Sequence, residues 1–182
     1  VQLIDCTKVE TNNEIKPRKS WKAHRTSVSS LAYCNIDDHG KYLLATGSLD
    51  SSVKIWSYDE CSLPKKKLKS PRKKSNPLPL RVLHSSIGGI STVKWAPMMN
   101  DRSVRYLVAG TLKEEIIGWS IDRATLKAIR INSFEGHAGV VNDIHFTTEV
   151  KELEANRETK CANGEFSMVS LSSDRRLHVW DL

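Results

Sequence analysis

Several features that would assign this chain to a particular protein class are absent from its sequence. No apolar run approaches the roughly 18 residues that a membrane-spanning helix needs, so no membrane partner is predicted. No signal-peptide pattern opens the chain. Cysteine is sparse, and its spacing fits neither a zinc-binding motif nor a disulfide framework. The four cysteines are Cys6, Cys34, Cys61 and Cys161. The sequence therefore predicts reduced thiols, no metal site and no cofactor.

Basic charge is also lacking over most of the chain, although the net charge is +7. Residues 65–74, "KKKLKSPRKK", hold seven basic residues and no acidic one. Removing these seven from the 28 basic residues leaves 21, which equals the 21 acidic residues. The excess is therefore a basic tract inserted into a neutral fold. The tract residues are Lys65, Lys66, Lys67, Lys69, Arg72, Lys73 and Lys74.

A repeated segment organises the rest of the chain. The segments "TGSLDSSVKIWS" (46–57), "AGTLKEEIIGWS" (109–120) and "SLSSDRRLHVWD" (170–181) align without gaps. Each has a Trp as its eleventh residue, and upstream of each lies a His followed by apolar residues at relative positions 0, +3 and +5. The aligned residues are Trp56, Trp119 and Trp180, with His24, His84 and His137.

Each unit is predicted to contain four antiparallel strands. The apolar alternation after the His indicates a first strand. "KYLLATGS", "RYLVAGT" and "FSMVSLSS" indicate second strands, and "SVKIW", "EIIGW" and "RLHVW" third strands. "RVL" (81–83) and "IRINSF" (129–134) are candidate fourth strands. Repeated four-stranded antiparallel units are typical of the blades of an all-β propeller.

The pattern resembles the WD-repeat family, with Gly136-His137 and Trp180-Asp181 matching its two signature dipeptides. The resemblance implies a buried hydrogen-bonded tetrad in each repeat, made by a His, a Ser or Thr, an Asp and a Trp. Ala109 and Lys113 stand where the middle unit would need its hydroxyl and carboxylate, so that tetrad is expected to be broken and that unit looser. The complete tetrads are His24, Thr46, Asp50 and Trp56, and His137, Ser170, Asp174 and Trp180.

The predicted blade units are 18–57, 81–120 and 134–182, and residues 1–17 end a preceding blade. Propellers have 4–8 blades, so we expect this chain to be part of a larger propeller, with at least one more blade upstream of Val1, or to be completed by blades from further chain or from a partner subunit. Residues 147–165 hold five Glu and three basic residues and are predicted to be a charged surface loop, with a partner-docking loop as the alternative.

The insertion at residues 58–80 contains the basic tract and four of the six prolines, and is predicted to be disordered. The tract resembles a nuclear-import signal read by an import receptor. A merely solubilising loop is the alternative. Ser70 is a candidate phosphosite because "SPRK" resembles a proline-directed kinase site, and phosphate there would reduce the charge of the tract.

A catalytic role for the His, hydroxyl and Asp set is rejected. The set recurs in more than one repeat together with a Trp, as expected for residues with a structural role, and no nucleophile-elbow glycines flank either hydroxyl. The predicted function is a non-enzymatic scaffold in a nuclear multisubunit complex of the transcription or chromatin type, bound to other subunits. The divergent repeats also resemble propeller subunits of the RNA polymerase III factor TFIIIC. A reader of peptides such as histone tails, and a nucleic-acid binder using the tract, stay open.

Overall fold

A computed structural model describes residues 2–4, 17–35, 42–58, 76–85, 88–98, 103–148 and 166–181. Every extended regular element of these residues is a β-strand. The strands are β1 (Gln2–Ile4), β2 (Pro17–Ser20), β3 (Val28–Asn35), β4 (Tyr42–Ser48), β5 (Ser52–Ser57), β6 (Arg81–His84), β7 (Ile90–Trp95), β8 (Val104–Thr111), β9 (Ile116–Asp122), β10 (Ala128–Phe134), β11 (Val141–Thr148), β12 (Phe166–Ser172) and β13 (Leu177–Asp181). No helix among the described residues is long and apolar enough to cross a membrane.

The strands form antiparallel sheets in sequence order, which we name blade 1 (β3 to β6), blade 2 (β7 to β10) and blade 3 (β11 to β13). Strands β1 and β2 pair separately. Each strand of a blade pairs with the next one along the chain. The predicted fold class, an all-β propeller of four-stranded antiparallel blades, is confirmed: blades 1 and 2 have four strands, and blade 3 has three among the described residues.

The hairpin between the second and third strands has the same backbone in every blade. Ser51, Glu114 and Arg175 have φ values of 64°, 72° and 66°, so each turn passes through the left-handed region. A hydroxyl two residues before the aligned Asp or Lys position accepts a backbone N–H from that position. These hydroxyls belong to Ser48, Thr111 and Ser172. The turn is therefore built the same way whether or not it carries an Asp.

The blades stack face to face, and their apolar side chains fill the two spaces between them. One cluster joins blades 1 and 2 and includes Val53, Ile55, Val93 and Trp119. A second joins blades 2 and 3 and includes Val108, Ile116, Val141, Ile144 and Met168. Burying these aliphatic side chains contributes about 1.5–3 kcal/mol each and holds the blades together.

Glycine in the second strand lets neighbouring blades approach closely. A Cβ atom placed on Gly47 would lie 2.6 Å from Cγ2 of Ile90, and one on Gly110 would lie 2.6 Å from Cγ1 of Val141. These distances are shorter than van der Waals contact, so only glycine fits. Leu171 occupies the aligned position of blade 3, because it pairs with Leu177 as Gly110 pairs with Ile116.

Two apolar surfaces of the described structure are exposed. The blade 3 surface consists of Leu171, Leu177 and Val179, the last two 62% exposed, whereas their blade 1 counterparts Val53 and Ile55 are fully buried by blade 2. The blade 1 surface, on the opposite side of the stack, includes Leu31 (58% exposed) and Tyr33 (70% exposed). These surfaces are the same faces that bind the blades to one another inside the stack.

The ends of the predicted insertions differ slightly from the strand bounds. Thr147 and Thr148, placed in the second insertion, extend β11 and pair with Ser167 and Phe166. Leu80, which the sequence analysis assigned to the first insertion, donates its backbone N–H to the Ile55 carbonyl at 2.7 Å and packs against the core. The rest of both insertions, apart from Tyr58 and residues 76–79, lies outside the described residues.

Candidate functional site: two buried hydrogen-bonded tetrads

The four predicted tetrad residues of blade 1 lie together between the loop before β3 and the inner strands. Nε2 of His24 lies 2.8 Å from Oγ1 of Thr46, and Nε1 of Trp56 donates to the same hydroxyl at 2.9 Å. Nδ1 of His24 lies 3.2 Å from both carboxylate oxygens of Asp50. These contacts fit a neutral imidazole that donates from Nδ1 to Asp50 and accepts the Thr46 hydroxyl proton at Nε2.

Asp50 is the acceptor that joins this network to the hairpin turn. Its carboxylate accepts the hydroxyl of Ser52 at 2.5 Å and the backbone N–H groups of Ser52 and Arg25 at 3.1 and 3.0 Å. The side chain of Asp50 is only 7% exposed and that of His24 is fully buried. The carboxylate therefore fixes the loop before β3 onto the β4–β5 turn.

Burial and hydrogen bonding set the ionisation of this pair. Burial on its own raises the pKa of Asp50, but hydrogen bonds from Ser52, Arg25 and His24 outweigh it and hold the pKa well below its ordinary value. Burial lowers the pKa of His24, and the neighbouring Asp50 offsets this only partly. The folded state is therefore a carboxylate beside a neutral imidazole.

Acidification is expected to destabilise blade 1 in two steps. The pKa of folded His24 lies below its ordinary 6.5, so the unfolded chain binds more protons as the pH falls below that value, and stability decreases. The pKa of folded Asp50 is also lowered, so its contribution is complete above its ordinary 3.8 and is lost below it. Urea midpoints measured from about pH 7.5 downward should fall. His24→Gln should lack the first step, and a rising midpoint would contradict this assignment.

Blade 3 repeats the arrangement with a serine in place of the threonine. Nδ1 of His137 lies 2.9 Å from Oδ2 of Asp174, and Nε2 lies 2.7 Å from Oγ of Ser170, which accepts the indole N–H of Trp180 at 2.9 Å. Burial on its own raises the pKa of Asp174, but hydrogen bonds from the backbone of Ala138, from His137 and from the backbone of Arg176 have the larger opposite effect. The net pKa of Asp174 lies below its ordinary value, so the carboxylate stays ionised.

Blade 2 has no such network among its described residues. Ala109 is fully buried in the position of Thr46, and His84 is exposed at the end of β6. Lys113 stands at the Asp position, and its Cγ would lie 3.1 Å from a Cβ on Gly88. Thr111 accepts the backbone N–H groups of Lys113 and Glu115 instead. The expected looser motion of this unit stays a prediction.

The tetrad geometry suits a structural role rather than nucleophilic catalysis. Thr46 and Ser170 are fully buried. Each hydroxyl already bonds a histidine and a tryptophan, so neither is free to attack a substrate. The candidate tract residues Lys65, Lys66, Lys67, Lys69, Arg72, Lys73 and Lys74, and the candidate phosphosite Ser70, lie outside the described residues.

Sequence reasoning missed two residues that belong to these sites. Ser52 joins the blade 1 network, and the signal for it is a hydroxyl two residues after the turn Asp. His178 lies against the blade 3 tetrad, with its ring centroid 4.3 Å from that of His137. Only the alternation of side chains along β13, which places residues 178 and 180 on one face, would have indicated it.

Comparison with known proteins relates part of the sequence to one repeat family. The family model described as "WD domain, G-beta repeat" matches residues 15–57. "Protein HIR1" from each of two strains of Cryptococcus neoformans var. neoformans serotype D is 34% identical over 115 residues, or 63% of this chain and 12% of each relative. The chain therefore spans about an eighth of the length of these curated relatives.

Among solved structures, the crystal structure of Saccharomyces cerevisiae Sqt1 superposes with a TM-score of 0.53. The match covers 86% of this chain and 31% of that one, at 10% sequence identity. Identity this low carries an argument about the fold alone. The backbone arrangement of the blades is thus shared with a longer solved chain.

Proposed function

We propose that this chain, whose residues 15–57 match the WD domain, G-beta repeat family model, is a non-catalytic scaffold for protein–protein interaction within a nuclear multisubunit assembly of the transcription or chromatin type. The tetrads use their polar groups to fix loops onto strands. This internal bonding leaves a stiff frame, and loops and faces on a stiff frame are suited to binding partners.

The observation that carries the proposal is the exposed blade 3 surface. Leu177 and Val179 are each 62% exposed, whereas the aligned Val53 and Ile55 are fully buried against the next blade. An apolar face that is covered wherever a neighbour is present is expected to be covered in the functional assembly as well, by a further blade of the propeller or by a blade that a partner subunit supplies. Leu171 fills the place of the glycines, so the covering element must present a small residue there.

A nuclear location is proposed from the basic tract at residues 65–74. Clustered Lys and Arg side chains suit the acidic groove of an import receptor. Phosphate on Ser70 would add negative charge within the tract and weaken that interaction. Assignment to TFIIIC-like machinery stays a prediction that none of the relatives described above tests.

Substituting the blade 3 surface should remove stoichiometric protein companions. We expect the double variant Leu177→Ser, Val179→Ser, expressed with a tag in cells, to lose most of the protein that co-purifies in a fixed ratio with the wild-type chain. The reason is that polar side chains on this face would be buried without hydrogen bonds in the complex. Quantitative mass spectrometry of the purified material measures the ratio.

The matched control is Ile129→Ser with Ile131→Ser on β10, which are 55% and 45% exposed on the outermost strand of blade 2. These substitutions should leave the companions unchanged. Equal loss in both variants would contradict the proposal.

Substitution of the basic tract distinguishes the scaffold function from its two alternatives, a nucleic-acid binder and a peptide reader. Alanine at residues 65–67 and 72–74 should abolish nuclear accumulation without removing companions in extracts. A direct nucleic-acid binder would instead lose steeply salt-dependent binding to duplex or single-stranded probes in the same variant. A peptide reader would retain binding to histone-tail peptides after both the tract and the surface substitutions. Nuclear accumulation that survives the alanine substitutions would reject the import assignment.

A further inference from the structure

Three side chains of blade 3 bring possible metal ligands together on one side of the sheet. One ligand atom each from His137, Asp174 and His178 lies within 4.8 Å of the other two. The closest pair is Nδ1 of His137 and Oδ2 of Asp174 at 2.9 Å. Imidazole nitrogen and carboxylate oxygen are ligands that Zn²⁺ and related divalent metals accept in four-coordinate sites.

The third ligand, His178, is held in place without using its ring nitrogens. Its ring lies 4.3 Å from that of His137 and 5.5 Å from that of Trp180, centroid to centroid. Gly136 leaves room for it, because a Cβ there would lie 3.1 Å from Nδ1 of His178. Within the described part of the chain, no hydrogen bond to either ring nitrogen is found. The half-buried ring is therefore positioned by packing and is free to bind.

Blade 1 provides an internal comparison with the same tetrad and no third ligand. Lys54 occupies the position of His178, because it pairs with Thr46 as His178 pairs with Ser170. Its ammonium group donates to the carbonyl of Ala23 at 2.7 Å. A positive charge there disfavours a second cation, so the metal-binding arrangement belongs to blade 3 alone among the two tetrads.

We propose that His137, Asp174 and His178 form a binding site for a divalent transition metal such as Zn²⁺, with water as the fourth ligand. In the metal-free tetrad the neutral His137 ring carries its proton on Nδ1. On binding, Nδ1 coordinates the metal and the proton moves to Nε2, so the ring stays neutral. Ser170 then accepts from Nε2 instead of donating to it. A hydrogen bond from the second ring nitrogen is how metal-ligating histidines are usually oriented.

Such a site would join the loop before β11 to the turn before β13 and to β13 itself. Metal bound only by the folded chain stabilises it in proportion to the logarithm of the free metal concentration. The inference is independent of the proposed scaffold function, because it needs no partner protein.

Titration of the purified full chain with ZnCl₂, followed by calorimetry, tests the site. We expect one equivalent to bind, and the same equivalent of Co²⁺ to show the visible absorption bands of a tetrahedral complex. His178→Lys, which copies blade 1, should lower the affinity by roughly 100-fold or more, because it replaces a ligand with a cation. Blade 1 accommodates lysine at this position, so the variant should fold, and its circular dichroism spectrum checks this.

The control variant is His145→Lys, which alters another histidine that faces a carboxylate. Nε2 of His145 lies 3.4 Å from Oδ2 of Asp143, and the His145 side chain is 69% exposed. This variant should retain the full affinity. Absence of binding to the wild-type chain would overturn the proposal, and so would equal affinity of wild type and His178→Lys, since zinc would then be held elsewhere.

Discussion

Replacing Gly110 with valine is expected to destabilise the protein by about 3 kcal/mol, the upper part of the range for overpacked cores. A Cβ atom at Gly110 would lie 2.6 Å from Cγ1 and 2.8 Å from Cβ of Val141, and 2.9 Å from Cγ2 of Thr92. Val141 is fully buried in the cluster between blades 2 and 3, so it has no free space to move into. The two blades would have to separate, which would expose part of that cluster. The urea midpoint at a constant slope measures the loss.

The matched control for Gly110→Val is Leu171→Val, at the same position in blade 3. Leu171 is 40% exposed and no described strand packs over it, so a smaller aliphatic side chain should change stability by less than about 0.5 kcal/mol. A midpoint for Gly110→Val equal to that of the wild type would show that the blades do not stack as closely as described.

Replacing Asp50 with alanine is expected to cost about 3 kcal/mol, because one substitution removes the acceptor of several buried or half-buried donors. The donors are Nδ1 of His24, the hydroxyl and backbone N–H of Ser52, and the backbone N–H of Arg25. His24 is fully buried at the side chain and cannot find water as a substitute. Thermal or urea unfolding of the variant measures the effect, and hydrogen exchange should rise first in the loop before β3.

Lys113→Ala is the control for Asp50→Ala, since Lys113 occupies the same turn position in blade 2. The turn there is held by Thr111, whose hydroxyl accepts the backbone N–H groups of Lys113 and Glu115 whatever side chain residue 113 carries. A change of less than about 0.5 kcal/mol is expected. Equal destabilisation by the two substitutions would mean that the turn backbone, and not the carboxylate network, carries the stability.

Much of the architecture could be predicted because it repeats. The alignment of Trp56, Trp119 and Trp180 fixes the third strands, and the hydrophobic spacing after each His fixes the first. Local patterns of this kind survive in the sequence because every blade must bury the same faces. The partners of His24 and His137 were implied by the resemblance to WD repeats, although spacing alone could not have given the distances between them.

The candidate metal site was not predictable from ligand spacing. Asp174 lies 37 residues after His137, and His178 only four residues after Asp174, a separation that indicates no familiar metal motif. The ligands meet because the β12–β13 hairpin carries the last two to the loop that carries the first. The role of Ser52 was not predictable either, because a hydroxyl beside a turn is common. Only the tertiary structure shows that this hydroxyl donates a hydrogen bond to Asp50.

The sequence by itself determined the strand order and the hairpin turns, because these depend on local alternation and on residues a few positions apart, and its resemblance to WD repeats indicated the residues of each tetrad. Only the tertiary structure decided which faces are covered, why Gly47 and Gly110 must lack a side chain, and that His178 lies against His137. These features depend on the distance between blades. Packing of whole sheets sets that distance, and no short stretch of sequence encodes it.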